Sequence, residues 1–387
     1  MLNPFHSHVS KTLKQRREDH LYRSRRVVSE TDGRHVRIGD QSLLSFCSND
    51  YLGLAQHPEI RQALQQGVND HGVGSGAAHL ISGHNIAHHQ LEEEIAEFVQ
   101  RPRALLFSTG YMANLGAVQA LVGKSDAVFE DRLNHASLID AGLACGAKFH
   151  RHQHKDIASL NSLLKKSEAR KKLVVTDSVF SMDGDIAPLD QLANCAEQHN
   201  AWLMVDDAHG IGVTGQQGRG TINQYQLTTK DVPILMATFG KAFGTFGAFV
   251  AGEEDVIEFL IQEARTYIYT TAFPPSLAEA TRKSLALVQQ DDWRRDKLAK
   301  LIEQFRKGAE QLGLKQLLSS TPIQPIILGE NQKAIEVSEY LYSQGILVSA
   351  IRPPTVPVNS ARLRITFSAH HEETDIEHLL SCLEKFA

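Results

Sequence analysis

Between residues 104 and 252 the sequence keeps changing its hydrophobic period. Short apolar runs alternate with stretches in which apolar residues recur every three or four positions. ALLFST (104–109), AVFED (127–131), LVVTDSV (173–179), WLMVDDA (202–208), ILMATFG (234–240) and GAFVAG (247–252) are bounded by turn or polar residues, which predicts buried strands. From Pro188 to Asn200, Pro188 suits a first helical position, and Leu189, Leu192 and Ala196 share one face. Strands separated by helices predict βαβ units, hence an α/β fold with a mostly parallel sheet covered on both faces.

The flanks read differently. Leu91, Ile95 and Phe98 form the stripe of an amphipathic helix over 86–99. Beyond about residue 290, Leu298, Leu301, Ile302, Phe305, Ala309 and Leu312 follow helical spacing, and Gly313 is placed to end that helix. Strand-like IQPIIL (323–328), ILVSAI (346–351) and RLRITF (362–367), with helices near 331–344 and around Ile376 to Leu383, predict a small α+β domain. The expected organisation is an N-terminal arm over 1–45, a large domain over 46–288 and a small C-terminal domain over 289–387.

Apolar residues make up 42% of the 387, enough for a sizeable core. The net charge of −5 is spread along the chain, so neither nucleic acid nor an anionic membrane is the expected partner. No run approaches the roughly 18 apolar residues of a membrane span. The N-terminus lacks a signal-peptide apolar stretch and reads as a solvated helical arm. Cys47, Cys145, Cys195 and Cys382 form no C-x-x-C pair, and a cytoplasmic location is expected.

Three places carry chemistry. Val205-Asp206-Asp207-Ala208-His209-Gly210 closes a predicted strand, the end at which open α/β sheets bind ligands. A carboxylate buried there needs a cationic partner. Thr238-Phe239-Gly240-Lys241-Ala242-Phe243-Gly244 sets one lysine among small and apolar residues, where its charged form is disfavoured and its amine becomes nucleophilic. Ser108-Thr109-Gly110-Tyr111-Met112-Ala113-Asn114 is a strand end running into a helix, a ready phosphate site. Singly, these read as a helix-capping Asp with a loop His, a surface lysine and a plain strand-to-helix turn. Together they fit pyridoxal 5'-phosphate, which needs a lysine for its Schiff base, a carboxylate facing its ring nitrogen and a phosphate cradle.

At these residues the chain resembles the α-oxoamine synthases, a branch of the aspartate-aminotransferase-like (type I) pyridoxal-phosphate enzymes. The likeness runs from about Arg16 to the C-terminus. It is carried by SNDYLGL (48–54), GSG (74–76), ISGH (81–84), LNHASL (133–138), VFSMDGDIAPL (179–189), VDDAHGIGVTGQQGRG (205–220), TFGKAFG (238–244), YTTAFPP (269–275) and IRPPTVPVNSARLRITFSAHH (351–371). The resemblance implies that Lys241 forms the Schiff base, Asp206 faces the ring nitrogen and His135 stacks on the ring. It also implies that His209 and Ser181 lie near the phenolic oxygen, and that Gly110, Tyr111 and Thr238 hold the cofactor. Thr270 or Thr271 would reach the phosphate from a second subunit, since family members are homodimers with sites at the interface. Arg364 and Asn49 would take the amino acid's carboxylate, a role that suits the planar fork of arginine. Arg23, Arg352 and Thr355 would lie along the acyl-CoA entrance or contact the product.

Ile351-Arg352-Pro353-Pro354-Thr355-Val356-Pro357 looks most like the pimeloyl-using branch, while Ala77-Ala78-His79 after GSG departs from the arginine of many relatives. The implied reaction is the decarboxylative condensation of L-alanine with pimeloyl-CoA or a pimeloyl carrier-protein thioester, within biotin biosynthesis. Other branches pair glycine or serine with a different acyl-CoA. Arg16, Arg17, Arg23, Arg25 and Arg26 suit CoA phosphates, an acidic carrier or solvent. Two blander readings compete. Gly72-Val73-Gly74-Ser75-Gly76 is G-x-G-x-G without a clear preceding strand, a weak nicotinamide signal. His84, His88 and His89, and His150, His152 and His154, come without a matching Cys or carboxylate set, so they read as solvated surface histidines and no metal is expected.

Overall fold

The computed structural model describes residues 3–387, which divide into two compact units. One comprises Asn49–Ser181 and Asp185–Lys297; the other gathers the described residues up to Ser48, Met182–Gly184 and Leu298–Ala387. The C-terminal boundary therefore falls at Leu298 rather than 289, and the N-terminal segment clusters with the C-terminal residues instead of standing apart as an arm.

The larger unit holds a seven-stranded sheet: β1 (Arg103–Phe107), β2 (Ala127–Asp131), β3 (Lys148–His152), β4 (Lys172–Asp177), β5 (Trp202–Asp206), β6 (Ile234–Thr238) and β7 (Ala248–Gly252). Its order is β1-β7-β6-β5-β4-β2-β3. The five strands from β6 to β3 run parallel, while β7 is antiparallel to both its neighbours. The connection over 239–247 explains the reversal, because it carries no helix and is too short for a parallel crossover. Each predicted apolar run contains a strand. β3, KFHRH, carries no apolar run; it is an edge strand with mixed exposure, marked in the sequence only by the alternation of His150 and His152.

Three helices position the site. α1 (Ile86–Phe98) begins in a capping box between Asn85 and His88. α2 (Gly110–Leu121) starts where the Thr109 hydroxyl accepts the Met112 N–H at 3.2 Å, a cap worth about 1 kcal/mol. α3 (Ala136–Ala144) is capped by His135 itself. Pro188 is the cap residue before the helix Leu189–Gln198 rather than its first residue. Leu105, Phe107, Val118, Val128, Val175 and Met236 belong to the core on this sheet.

In the other unit, the helix Pro4–Glu18 buries no side chain. Strands Val28–Thr31, His35–Ile38 and Gln41–Ser45 follow as an antiparallel meander, and the last pairs in parallel with Ile346–Leu347. The expected single run over 346–351 breaks at Val348, and Ser349–Ile351 pairs instead with Ala361–Thr366, itself beside Ile323–Gly329. Phe46 and Phe305 pack on Phe367 at 5.7 and 5.2 Å between ring centroids, and Arg34 bonds Asp375 at 2.5 Å.

Candidate active site

β5, β6 and α2 converge on the residues singled out from sequence. Lys241 follows β6 in a turn closed by the Gly244 N–H on the Lys241 carbonyl at 2.8 Å. Gly244 has φ +64°, and a Cβ there would stand 2.3 Å from the Ala55 nitrogen, so only glycine fits this turn. The Lys241 amine lies 3.0 Å from His209 Nε2. His209 Nδ1 lies 2.6 Å from the Tyr51 hydroxyl, which donates to Asn49 Oδ1 at 3.3 Å. With the Tyr51 proton committed to Asn49, Nδ1–H donates to Tyr51, and Nε2 is left to accept from Lys241. Tyr51 is fully buried and His209 nearly so, which fixes this relay.

A second network holds the carboxylate. Asp206, only 4% exposed at the end of β5, accepts the Ala208 N–H on Oδ1 at 3.0 Å and the Asn114 amide on Oδ2 at 2.8 Å. The other Asn114 hydrogen goes to Ser137 Oγ at 2.9 Å, and that hydroxyl donates to His135 Nδ1 at 2.8 Å. The His135 N–H meets Asp177 Oδ2 at 2.6 Å. Burial pushes the His135 pKa down, Asp206 pulls it back only in part, and Lys241 adds to the lowering. His135 is therefore a neutral imidazole with its proton on Nε2. Burial, and then the charge of Asp206, push the Asp177 carboxyl well above its usual range.

The two aspartates of the 205–210 stretch do different work. Asp207 is fully buried and clamps its own loop, accepting from Ser178 Oγ at 2.5 Å and from the Thr221 hydroxyl and N–H at 2.7 and 2.8 Å. Burial raises its pKa to about 6, against the pull of these donors. Asp206 is thus the carboxylate left for a ligand.

The residues present fit pyridoxal phosphate. The buried Asp206 carboxylate, held by the neutral Asn114 amide and the Ala208 N–H, calls for a cation, which a protonated ring nitrogen supplies. The Thr238 hydroxyl is buried with no hydrogen-bond partner among the described residues. A Cβ on Gly110 would meet Thr238 Cγ2 at 2.6 Å, so glycine keeps the backbone open beside that hydroxyl, at the helix start where N–H groups lack intrahelical partners.

Other expected residues stand as follows. Tyr111 is part-exposed and its hydroxyl donates to Asp140. Ser181 is half-buried in a turn after β4. Thr270 and Thr271 lie between the helices Arg265–Ile268 and Pro275–Gln290. In the smaller unit, Arg364 is buried on the strand Ala361–Thr366 and donates to Thr366 Oγ1 at 3.0 Å. There Arg23 and Arg352 line one cleft with Arg17, Tyr22, Arg26 and Cys47, while Thr355 is exposed and its N–H meets the Arg352 carbonyl at 3.1 Å. The parts that sequence reasoning missed are Tyr51, Asn114, Ser137 and Asp177. All four stood inside quoted stretches, SNDYLGL, the segment ending at Asn114, LNHASL and LVVTDSV, without a role.

The histidines expected to be solvated are not all so. His88 and His152 are buried. His154 bridges Asp131 at 3.0 Å and Asp185 at 2.9 Å. Burial alone would lower its pKa, but these two carboxylates outweigh it and hold it at about 9. All four cysteines are free, and no helix among the described residues is long and apolar enough to cross a membrane.

Residues 41–383 match the family described as aminotransferase class I and II. The 8-amino-7-oxononanoate synthase of Saccharophagus degradans is 58% identical over 97% of this chain and 96% of its own length. That of Nitrosococcus oceani is 59% identical over 96% and 98%. A high-resolution structure of a serine palmitoyltransferase with its PLP internal aldimine superposes with a TM-score of 0.93 at 26% identity, covering 98% of this chain and 97% of that one. The chain belongs to the class I and II aminotransferase family and, within it, groups with the 8-amino-7-oxononanoate synthases.

Proposed function

We propose that this chain condenses L-alanine with a pimeloyl thioester, releasing 8-amino-7-oxononanoate, carbon dioxide and the thiol of coenzyme A or of a carrier protein. The reading is supported by the near-full-length likeness to synthases of that name. The observation that carries it is a lysine amine held by His209 together with a buried carboxylate, Asp206, linked through Asn114 and Ser137 to His135.

Pyridoxal phosphate, when bound, supplies the sink for the electron pair left on the α-carbon of alanine. Lys241 would anchor it, and the Lys241 amine would take the α-proton. His209 accepts a hydrogen from that amine and fixes its direction, with Tyr51 holding the imidazole in the required tautomer. Asp206 receives the ring nitrogen, its oxygens aimed by Asn114 and the Ala208 N–H. His135 Nε2–H donates to the thioester carbonyl oxygen as charge gathers there. Thr238, Gly110 and Tyr111 would hold the phosphate end, and Ser181 would reach the phenolic oxygen, with His209 close by. Arg364 and Asn49 offer donors for the alanine carboxylate.

The acyl donor is anionic whether it is a CoA or a carrier thioester, and the arginine-lined cleft with Arg23 and Arg352 supports that class. Thr355, beside Arg352 in the chain, belongs to the same path. A homodimer completes the proposal, with Thr270 or Thr271 serving the second subunit's phosphate. Val73, Ile81 and Tyr269, each more than two-thirds exposed, are the kind of apolar surface an association covers.

Borohydride reduction of the cofactor-loaded protein, followed by peptide mapping, tests the core of this reading. The label is expected on Lys241, and Lys241→Ala should take no label and lose on the order of 10³-fold in turnover of alanine and pimeloyl-CoA. A label on another lysine would overturn the assignment.

A further inference from the structure

Beside the loop 79–83 lies a group of side chains that the reaction does not use. His79, His84, His88 and His89 gather at the start of α1, with ring centroids of 5.3 Å for His79 and His84, 5.9 Å for His84 and His88, and 5.8 Å for His84 and His89. Their hydrogen bonds sort them. His88 has both ring nitrogens engaged: Nδ1 accepts the Asn85 N–H at 3.0 Å, and Nε2 donates to the Phe273 carbonyl at 2.8 Å. It holds the helix start and is no ligand.

His84 differs. Its Nδ1 lies 3.0 Å from His79 Nδ1, and its Nε2 stands 3.9 Å from Glu92 Oε2. Glu92 is anchored through its other oxygen, Oε1, which accepts the Leu106 N–H of β1 at 3.0 Å. His89 precedes Glu92 by three positions on α1 and so shares its face. Its ring is more than half exposed, and its contact with Glu93 at 3.4 Å is a solvent-screened pair. One ligand atom each from His84, His89 and Glu92 lie within 4.8 Å of one another.

We propose that His84, His89 and Glu92 bind a divalent transition-metal ion, zinc above all, with a position left open to water. Two imidazoles and one carboxylate suit a borderline cation, and they do not suit calcium or magnesium, which take oxygen ligands. Ligands at about 2.0–2.2 Å in tetrahedral array stand roughly 3.4 Å apart, so the set closes by about 1 Å, within the reach of side-chain rotation at exposed His89. The supporting contacts are already built. With Nε2 on the metal, His84 Nδ1–H donates to His79 Nδ1, and Leu106 holds the Glu92 carboxylate in orientation, the outer contacts that ligating groups require. All three ligands come from one chain, so each subunit carries a whole site. The spacing H-x4-H-x2-E was readable, but the carboxylate lay beyond the histidine run and was not counted with it.

Calorimetric titration of zinc chloride into the cofactor-loaded protein tests this. One equivalent per chain is expected to bind, with affinity at least tenfold weaker in His89→Gln and in Glu92→Gln. Unchanged cofactor absorbance in His89→Gln shows that its loss of binding is not unfolding. Cobalt(II) as a second probe should give visible bands that disappear in the same two variants. The proposal fails if the wild-type protein binds no stoichiometric zinc. It also fails if both variants bind as tightly as wild type, the result expected were a free cysteine or the cofactor phosphate taking the ion.

Discussion

Asn114 gives both amide hydrogens to the active site, one to Asp206 and one to Ser137, which in turn fixes His135. Replacing it with leucine keeps the volume and removes both bonds. A buried acceptor left without its donor costs about 1–3 kcal/mol. Asn114→Leu is therefore expected to keep its cofactor absorbance while kcat falls roughly 10- to 100-fold, read from parallel spectra and steady-state rates. An unchanged kcat would mean that Asp206 needs no such support. These couplings were not legible from the sequence. Asn114 and Asp206 lie 92 positions apart, Tyr51 and His209 lie 158 apart, and no periodicity links such pairs. Lys241 and Asp206 were legible because each follows an apolar strand, where open sheets present their ligand-binding ends.

At the level of elements, His154 ties the end of β2, through Asp131, to Asp185. Its folded pKa of about 9 stands above the unfolded value near 6.5. The stabilisation is therefore complete below about pH 6.5 and is lost as pH rises through 9. His154→Gln should lower stability by about 1–3 kcal/mol at pH 6, and the deficit should close by about pH 10. Thermal melts across that range read it; a deficit that grows with pH would contradict the charged form. Buried parallel strands were readable because both faces are covered and the run is apolar throughout. β3, beyond its alternating histidines, and the meander from Val28 to Ser45 were not, because their part-exposed, polar residues match no apolar strand template.

For the whole molecule, the proposal that Thr270 or Thr271 serves a neighbouring subunit has a consequence in mixtures. Lys241→Ala and a Thr270→Val/Thr271→Val double variant should each be impaired alone. Unfolded together in equal amounts and refolded at random, they should regain about a quarter of wild-type turnover, because half the dimers are mixed and each mixed dimer has one site with both intact parts. If the threonines serve their own chain, mixing restores nothing. The placing of β7 bears on how the chain is made. β1 is synthesised first of the seven strands, yet the strand it pairs with in the sheet is the last, some 140 residues later. At about 5–20 residues per second, a ribosome leaves that edge unpaired for on the order of 10 s. The strand that closes the sheet thus sets how long Leu105 and Phe107 wait, and a chain released before Gly252 would carry an open apolar edge with nothing to cover it.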